Sequence, residues 1–163
     1  MAKKPAQKPQ KQKKSAPRKR RLVMVSGGFD PVHIGHVRMF EEAKKLGDEL
    51  VVVINNDNWL QLKKGFAFMP EADRKEIIEA FDAVDKVVLT SHKPGTTDIS
   101  VCKEIETLRP HIFANGGDRK HDNIPEYELC KRLGIEMAFN VGHGGKVRSS
   151  SEMVKKAKRT AKK

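Results

Sequence analysis

Short apolar runs recur along the chain, each followed by a turn and then by a stretch with helical spacing. LVMVS at 22–26 leads through a Gly-rich turn into a helical stretch at about 35–46, and LVVVIN follows at 50–55. The alternation goes on to predict a helix at about 70–82, a strand KVVL at 86–89, and a helix at about 98–108 capped by Thr97 or Asp98 and ended by Pro110. HIFAN at 111–115 reads as a strand and 124–133 as a helix stopped by Gly134. IEMAFN at 135–140 reads as the last strand and 149–158 as a C-terminal helix capped by serine. Each crossover is long enough to hold a helix, so the strands are expected to be parallel, in one sheet covered on both faces. Ligands of such sheets bind beyond the carboxyl ends of the strands.

Charge changes this picture only at the ends. The 163-residue chain has a formal net charge of +12, but residues 1–21 hold ten Lys/Arg and no acid, and 155–163 hold six more and no acid. Residues 22–154 keep 17 bases against all 21 acids, a net of −4. The expected organisation is a disordered basic tail at 1–21, a single domain at 22–154 and a basic extension at 155–163, because Lys, Pro, Gln and small residues bury too little apolar surface to offset the entropy of ordering. Cys102 and Cys130 are far apart and lack CxxC spacing, which argues against a zinc site or a disulfide framework. No apolar run approaches the roughly 20 residues of a membrane span or the length of a signal peptide, so a soluble cytoplasmic protein is expected.

The segment Ser26-Gly27-Gly28-Phe29-Asp30-Pro31-Val32-His33-Ile34-Gly35-His36 carries the chemistry. It follows the first strand and opens the first helix, and it matches neither a P-loop nor a GxGxxG fingerprint. Small residues let a backbone come close to a ligand, and a helix N-terminus turns free N–H groups toward an anion. With two histidines three apart and Gly35 between them, the segment reads as a polyphosphate cradle.

GGFDPVHIGH resembles the GxFDxxHxGH signature of the HxGH nucleotidyltransferase (cytidylyltransferase-like) superfamily. Arg148-Ser149-Ser150-Ser151 is similar to the second signature of that superfamily, again at a helix start, and the resemblance spans about 22–158. INNDNWLQLKKG, Asn115-Gly116-Gly117-Asp118 and the stretch from Arg74 to Val87 are similar to small cytidylyltransferases and to the adenylyltransferase that makes ADP-heptose, the GGD pointing to the latter. GHGGKVRSSS departs from the RTEGISTT pattern of glycerol-3-phosphate cytidylyltransferases, which weighs against CTP.

The resemblance implies a Rossmann-like, doubly wound, five-stranded α/β domain. It implies in-line attack by an acceptor phosphate oxygen on the α-phosphorus of ATP or CTP, with pyrophosphate leaving and no covalent enzyme intermediate. Such chemistry needs positioning and charge stabilisation. In the implied roles His33 and His36 donate hydrogen bonds to the triphosphate, with His36 nearest the α-phosphate. Lys64 holds the acceptor phosphate or the transferring group, with Lys63 as its substitute if the register is off by one. Gly27, Gly28, Phe29, Asp30 and Gly35 frame the nucleotide. Ser149 and Ser150 bind the β- and γ-phosphates, Arg148 neutralises charge nearby, and Gly117 and Asp118 lie by the ribose or base. Arg74, His143 and Ser151 are further candidates. Mg²⁺ is expected on the nucleotide phosphates, with few protein ligands, and a homodimer is implied.

Structural roles compete with several of these assignments. Lys63 and Lys64 suit a solvated loop, Arg74 a surface pair with Glu71 or Asp85, the serines a helix cap and Gly-Gly-Asp a turn. Trp59 is expected to pack on the domain layer, and of the remaining histidines only His143 stands near the second signature. The leading acceptor is a heptose 1-phosphate with ATP, followed by glycerol 3-phosphate with CTP; FMN or a pantetheine phosphate is a third option. A reading of another class is a nucleic-acid-associated binding protein that uses its basic tails for polyanion contact.

Overall fold

In a computed structural model the described residues are 19–117, 119, 124–144 and 147–160. They form β1 (Leu22–Gly27), α1 (Ile34–Lys44), β2 (Glu49–Ile54), α2 (Asp57–Lys64), α3 (Glu71–Glu79), β3 (Lys86–Leu89), α4 (Cys102–Leu108), β4 (Ile112–Gly116), α5 (Tyr127–Leu133), β5 (Glu136–Val141) and α6 (Ser150–Thr160). The strands make one sheet in the order β3-β2-β1-β4-β5, and every neighbouring pair is parallel. This is the expected doubly wound α/β architecture.

The alternation of side chains along β1 divides the core in two. Val23 and Val25 face a cluster with Met39, Phe40 and Ile78 of α1 and α3, while Met24 faces Ile105, Leu129 and Cys130 of α4 and α5. Both faces of the central strands are therefore covered, as runs such as VVVI in β2 require. From β1 the chain winds through β2 to β3 on one side, then crosses back to β4 and β5 on the other. The crevice at the carboxyl ends of β1 and β4 is the topological switch point.

Four expectations need correction. The segment 57–64, to which the pattern assigns no element and whose Lys63 and Lys64 suit a solvated loop, is helical: Asn56 caps it by accepting a hydrogen bond from Trp59 N–H at 3.0 Å, and Gly65 ends it in the left-handed region at φ 78°. The helix before Pro110 starts at Cys102, not 98, and neither Thr97 nor Asp98 caps it. Asp98 instead accepts from Ser100 N–H at 2.8 Å and closes a local turn that competes with helix. Arg21, assigned to the basic tail, is anchored: its N–H donates to Asp48 Oδ2 and its guanidinium to Glu136 Oε2, both at 2.8 Å. The boundary drawn after Val154 falls inside α6, which continues to Thr160. Most of the N-terminal tail lies outside the described residues, as do Asp118 and His121.

Candidate active site

The site is built from the loop after β1. Phe29 takes a left-handed backbone conformation at φ 49°, which costs about 1–2 kcal/mol for a residue with a side chain. Burial of its ring offsets that cost, with edge contacts to His36 at 4.9 Å and Phe40 at 5.3 Å between centroids. Gly27 is required beside it, since a Cβ there would sit 2.9 Å from the ring. Asp30, expected on the nucleotide, is instead a clamp. It is 1% exposed and its carboxylate accepts from Phe68 N–H at 2.9 Å and Met69 N–H at 2.7 Å, fastening the segment after α2 over the loop. A phosphate would meet repulsion there rather than a donor.

His33 is the N-cap of α1 and His36 occupies its third position. The His33 backbone N–H donates to His36 Nδ1 at 3.2 Å. In the neutral ring that acceptor role leaves the proton on Nε2. The two rings stack at 3.7 Å and 15°. Burial, with the neighbouring His33 and Lys64, pushes the His36 pKa down to about 3. Burial, helped by the Arg148 charge, holds His33 below its ordinary value. At neutral pH the pair therefore supplies fixed neutral N–H donors, the form suited to charge that develops only in a transition state.

Helix α2 turns its two lysines in different directions. Lys64 turns into the site and donates to the Asp30 carbonyl at 3.2 Å, whereas Lys63 is exposed. Burial lowers the Lys64 pKa, the nearby Asp30 carboxylate opposing that effect. Arg74 is no surface partner of Glu71 or Asp85. It is fully buried and donates to the carbonyls of Gly28 (2.7 Å), Asn55 (2.7 Å) and Met69 (3.0 Å) and to Asp57 Oδ1 (2.6 Å). One guanidinium thus joins the cradle, the end of β2 and the loop before α3.

The second signature arrives from the other end of the fold. Ser150 Oγ donates to the Pro31 carbonyl at 2.9 Å, docking the start of α6 against the cradle. Together they enclose an open cavity of about 340 Å³, lined by His33, His36, Lys64, Arg148 and Ser149–Ser151, with Gly27, Gly28, Phe29, Gly35 and Gly117. The cavity walls also carry Arg119. Three cationic side chains therefore face the space and no carboxylate does, among the described residues. Two helix N-termini and three cations around one cavity make a polyanion site. Asp30, Lys63, Arg74 and His143 do not line it, and His143 pairs with Glu42 at 3.7 Å on the surface. Asp118 lies outside the described residues.

Met39, Val141, Gly142 and Val147 complete the walls without having been anticipated, and so do two residues with chemistry to offer, Trp59 and Arg119. Trp59 is half-buried at the cavity wall, not packed away in the domain layer; its position follows only from the helical turn of α2. Arg119 stands two residues after Gly117 in the charged run Asp118-Arg119-Lys120, where nothing marks it out from its neighbours.

Comparison with known proteins agrees with this geometry. Residues 24–156 match the family model described as cytidylyltransferase-like. The chain belongs to this family. It is a nucleotidyltransferase, with both expected signatures facing one cavity. Among its relatives, an FAD synthase from Aciduliprofundum boonei is 39% identical over 71% of this chain and 73% of its own length. An FAD synthase from Pyrococcus horikoshii is 40% identical over 71% and 75%. The bifunctional protein HldE from Geotalea uraniireducens is 34% identical over 72% of this chain and 23% of its own length. The crystal structure of the lipopolysaccharide core biosynthesis protein from Thermoplasma volcanium is similar at a TM-score of 0.60 and 30% identity, over 74% of this chain and 94% of that one.

Proposed function

We propose that this nucleotidyltransferase moves AMP from ATP to FMN, forming FAD and pyrophosphate. The convergence of His33, His36, Lys64 and the α6 serines on one cavity, with no carboxylate on its walls among the described residues, carries the transfer chemistry. The acceptor rests on the FAD synthases, which match at 34–40% identity over some seven-tenths of both chains. A phosphate oxygen of the acceptor attacks the α-phosphorus, the bond to the β-phosphate oxygen breaks, and pyrophosphate departs toward the N-terminus of α6. His36 donates its Nε2 proton as a hydrogen bond to a non-bridging oxygen, and Lys64 holds the acceptor phosphate against it. Arg148, Ser149 and Ser150 hold the leaving group, and Gly117 lies by the nucleoside.

Mg²⁺ fits this site as a companion of the triphosphate. The cavity offers hydroxyls but no carboxylate among the described residues, so phosphate oxygens and water would hold the ion, which neutralises charge when bound. A sugar phosphate acceptor is the second reading, favoured by HldE and by the lipopolysaccharide core protein.

The test is pyrophosphate release from ATP or CTP with FMN, heptose 1-phosphate or glycerol 3-phosphate, with products resolved by chromatography. ATP with FMN is expected to be the fastest pair and to yield FAD. Faster turnover of a sugar phosphate would replace the acceptor, and release with none of the pairs would remove the proposed reaction.

A further inference from the structure

The cavity draws its walls from both sides of β1. Beyond β4 and β5 lie Gly116, Gly117, Arg119, Val141 and Gly142; beyond β2 lie Trp59 and Lys64, and the cradle stands between. In-line displacement sets the entering and leaving oxygens on opposite sides of phosphorus. The two substrates therefore need separate halves of the site. The β4–β5 half carries the Gly-Gly turn assigned to the nucleoside, which leaves the β2 half to the acceptor.

In that half the indole of Trp59 is held rigidly by its edge. Nε1 donates to the Ile99 carbonyl at 3.0 Å, and the residue's backbone N–H donates to Asn56 Oδ1. The loop that carries Ile99 is itself pinned: Asn56 and Asn58 donate to the His92 carbonyl at 2.8 and 2.9 Å, and the His92 ring bridges Thr90 Oγ1 and the Ser100 carbonyl. The far edge of the indole lies 3.9 Å from where a Gly28 Cβ would stand, so it borders the cradle. None of these contacts uses the ring face. A flat, fixed, half-buried π surface at a cavity wall is what a planar heteroaromatic ring stacks on.

We propose that Trp59 is the platform on which the acceptor's ring system stacks, and that it sets acceptor specificity. The proposal rests on the reading of FMN as acceptor. Trp59 is the single tryptophan of the chain, so its emission reports this one position. Titration of the full chain with FMN is expected to quench that emission to saturation. Trp59→Ala should raise the KM for FMN by about tenfold or more, the scale of one stacking contact, while the KM for ATP stays within about twofold. Trp59→Phe keeps a ring without the Ile99 bond and should hold the FMN KM within about threefold. An unchanged FMN KM in a folded Trp59→Ala enzyme that still makes FAD would overturn the platform and leave the reaction standing. Where the alanine variant fails to fold, wild-type emission that stays unquenched at saturating FMN overturns the platform equally. A wild-type chain that adenylylates a sugar phosphate and not FMN overturns the acceptor reading and the platform with it.

Discussion

In the proposed reaction His36 ties catalysis and stability to the same proton. Its pKa is about 3 in the folded protein against 6.5 in an unfolded chain. As pH falls through 6.5 the unfolded chain takes up a proton that the folded ring refuses, so stability is lost on acidification and the loss levels off near pH 3. Each tenfold difference in proton affinity between the two states is worth about 1.36 kcal/mol, which makes the loss between about pH 7 and pH 5 about 2 kcal/mol at most. His36→Asn keeps an acceptor for the His33 N–H and removes both the titrating group and the Nε2 donor. Urea unfolding of both proteins across this pH range should show the wild type losing stability more steeply than the variant. At neutral pH the variant should turn over about 10²–10³ times more slowly. Parallel stability curves together with near-normal turnover would refute the account of a buried, neutral donor.

Two other substitutions separate roles that look alike in sequence. Lys64→Met should lower kcat/KM by about a hundredfold, the scale of one lost charge-stabilising donor, while Lys63→Met stays within about twofold; equal effects in steady-state assays would undo the register drawn from α2. Asp30→Asn should cost about 1–3 kcal/mol of stability because the Phe68 and Met69 N–H groups reach different carboxylate oxygens, and the amide puts a donor where one of them stood. Loss of ATP affinity at unchanged thermal stability would instead return Asp30 to the nucleotide.

The fold was legible because its central strands are buried on both faces and read as plain apolar runs, with Gly134 and Pro110 marking helix ends. α2 was hidden: its stabilising features are a cap at Asn56 and a single buried Leu60, too little apolar periodicity to stand out between polar residues. That omission concealed the inward turn of Lys64 and the position of Trp59 together. Arg74 and Asp30 show a different limit. Their sequence context is that of ligand-binding charges, yet the donors and acceptors they satisfy are backbone groups 38–46 residues away in the case of Phe68 and Gly28, visible only once the chain is folded. The histidine and serine signatures were readable because each sits where local rules already demand a helix start.

The bond from Ser150 to Pro31 spans 119 residues. A growing polypeptide thus completes its sheet before it adds α6, the helix whose start closes one wall of the cavity. The same order applies in reverse: a protease that clips the exposed last helix would disarm the molecule and leave its five strands paired.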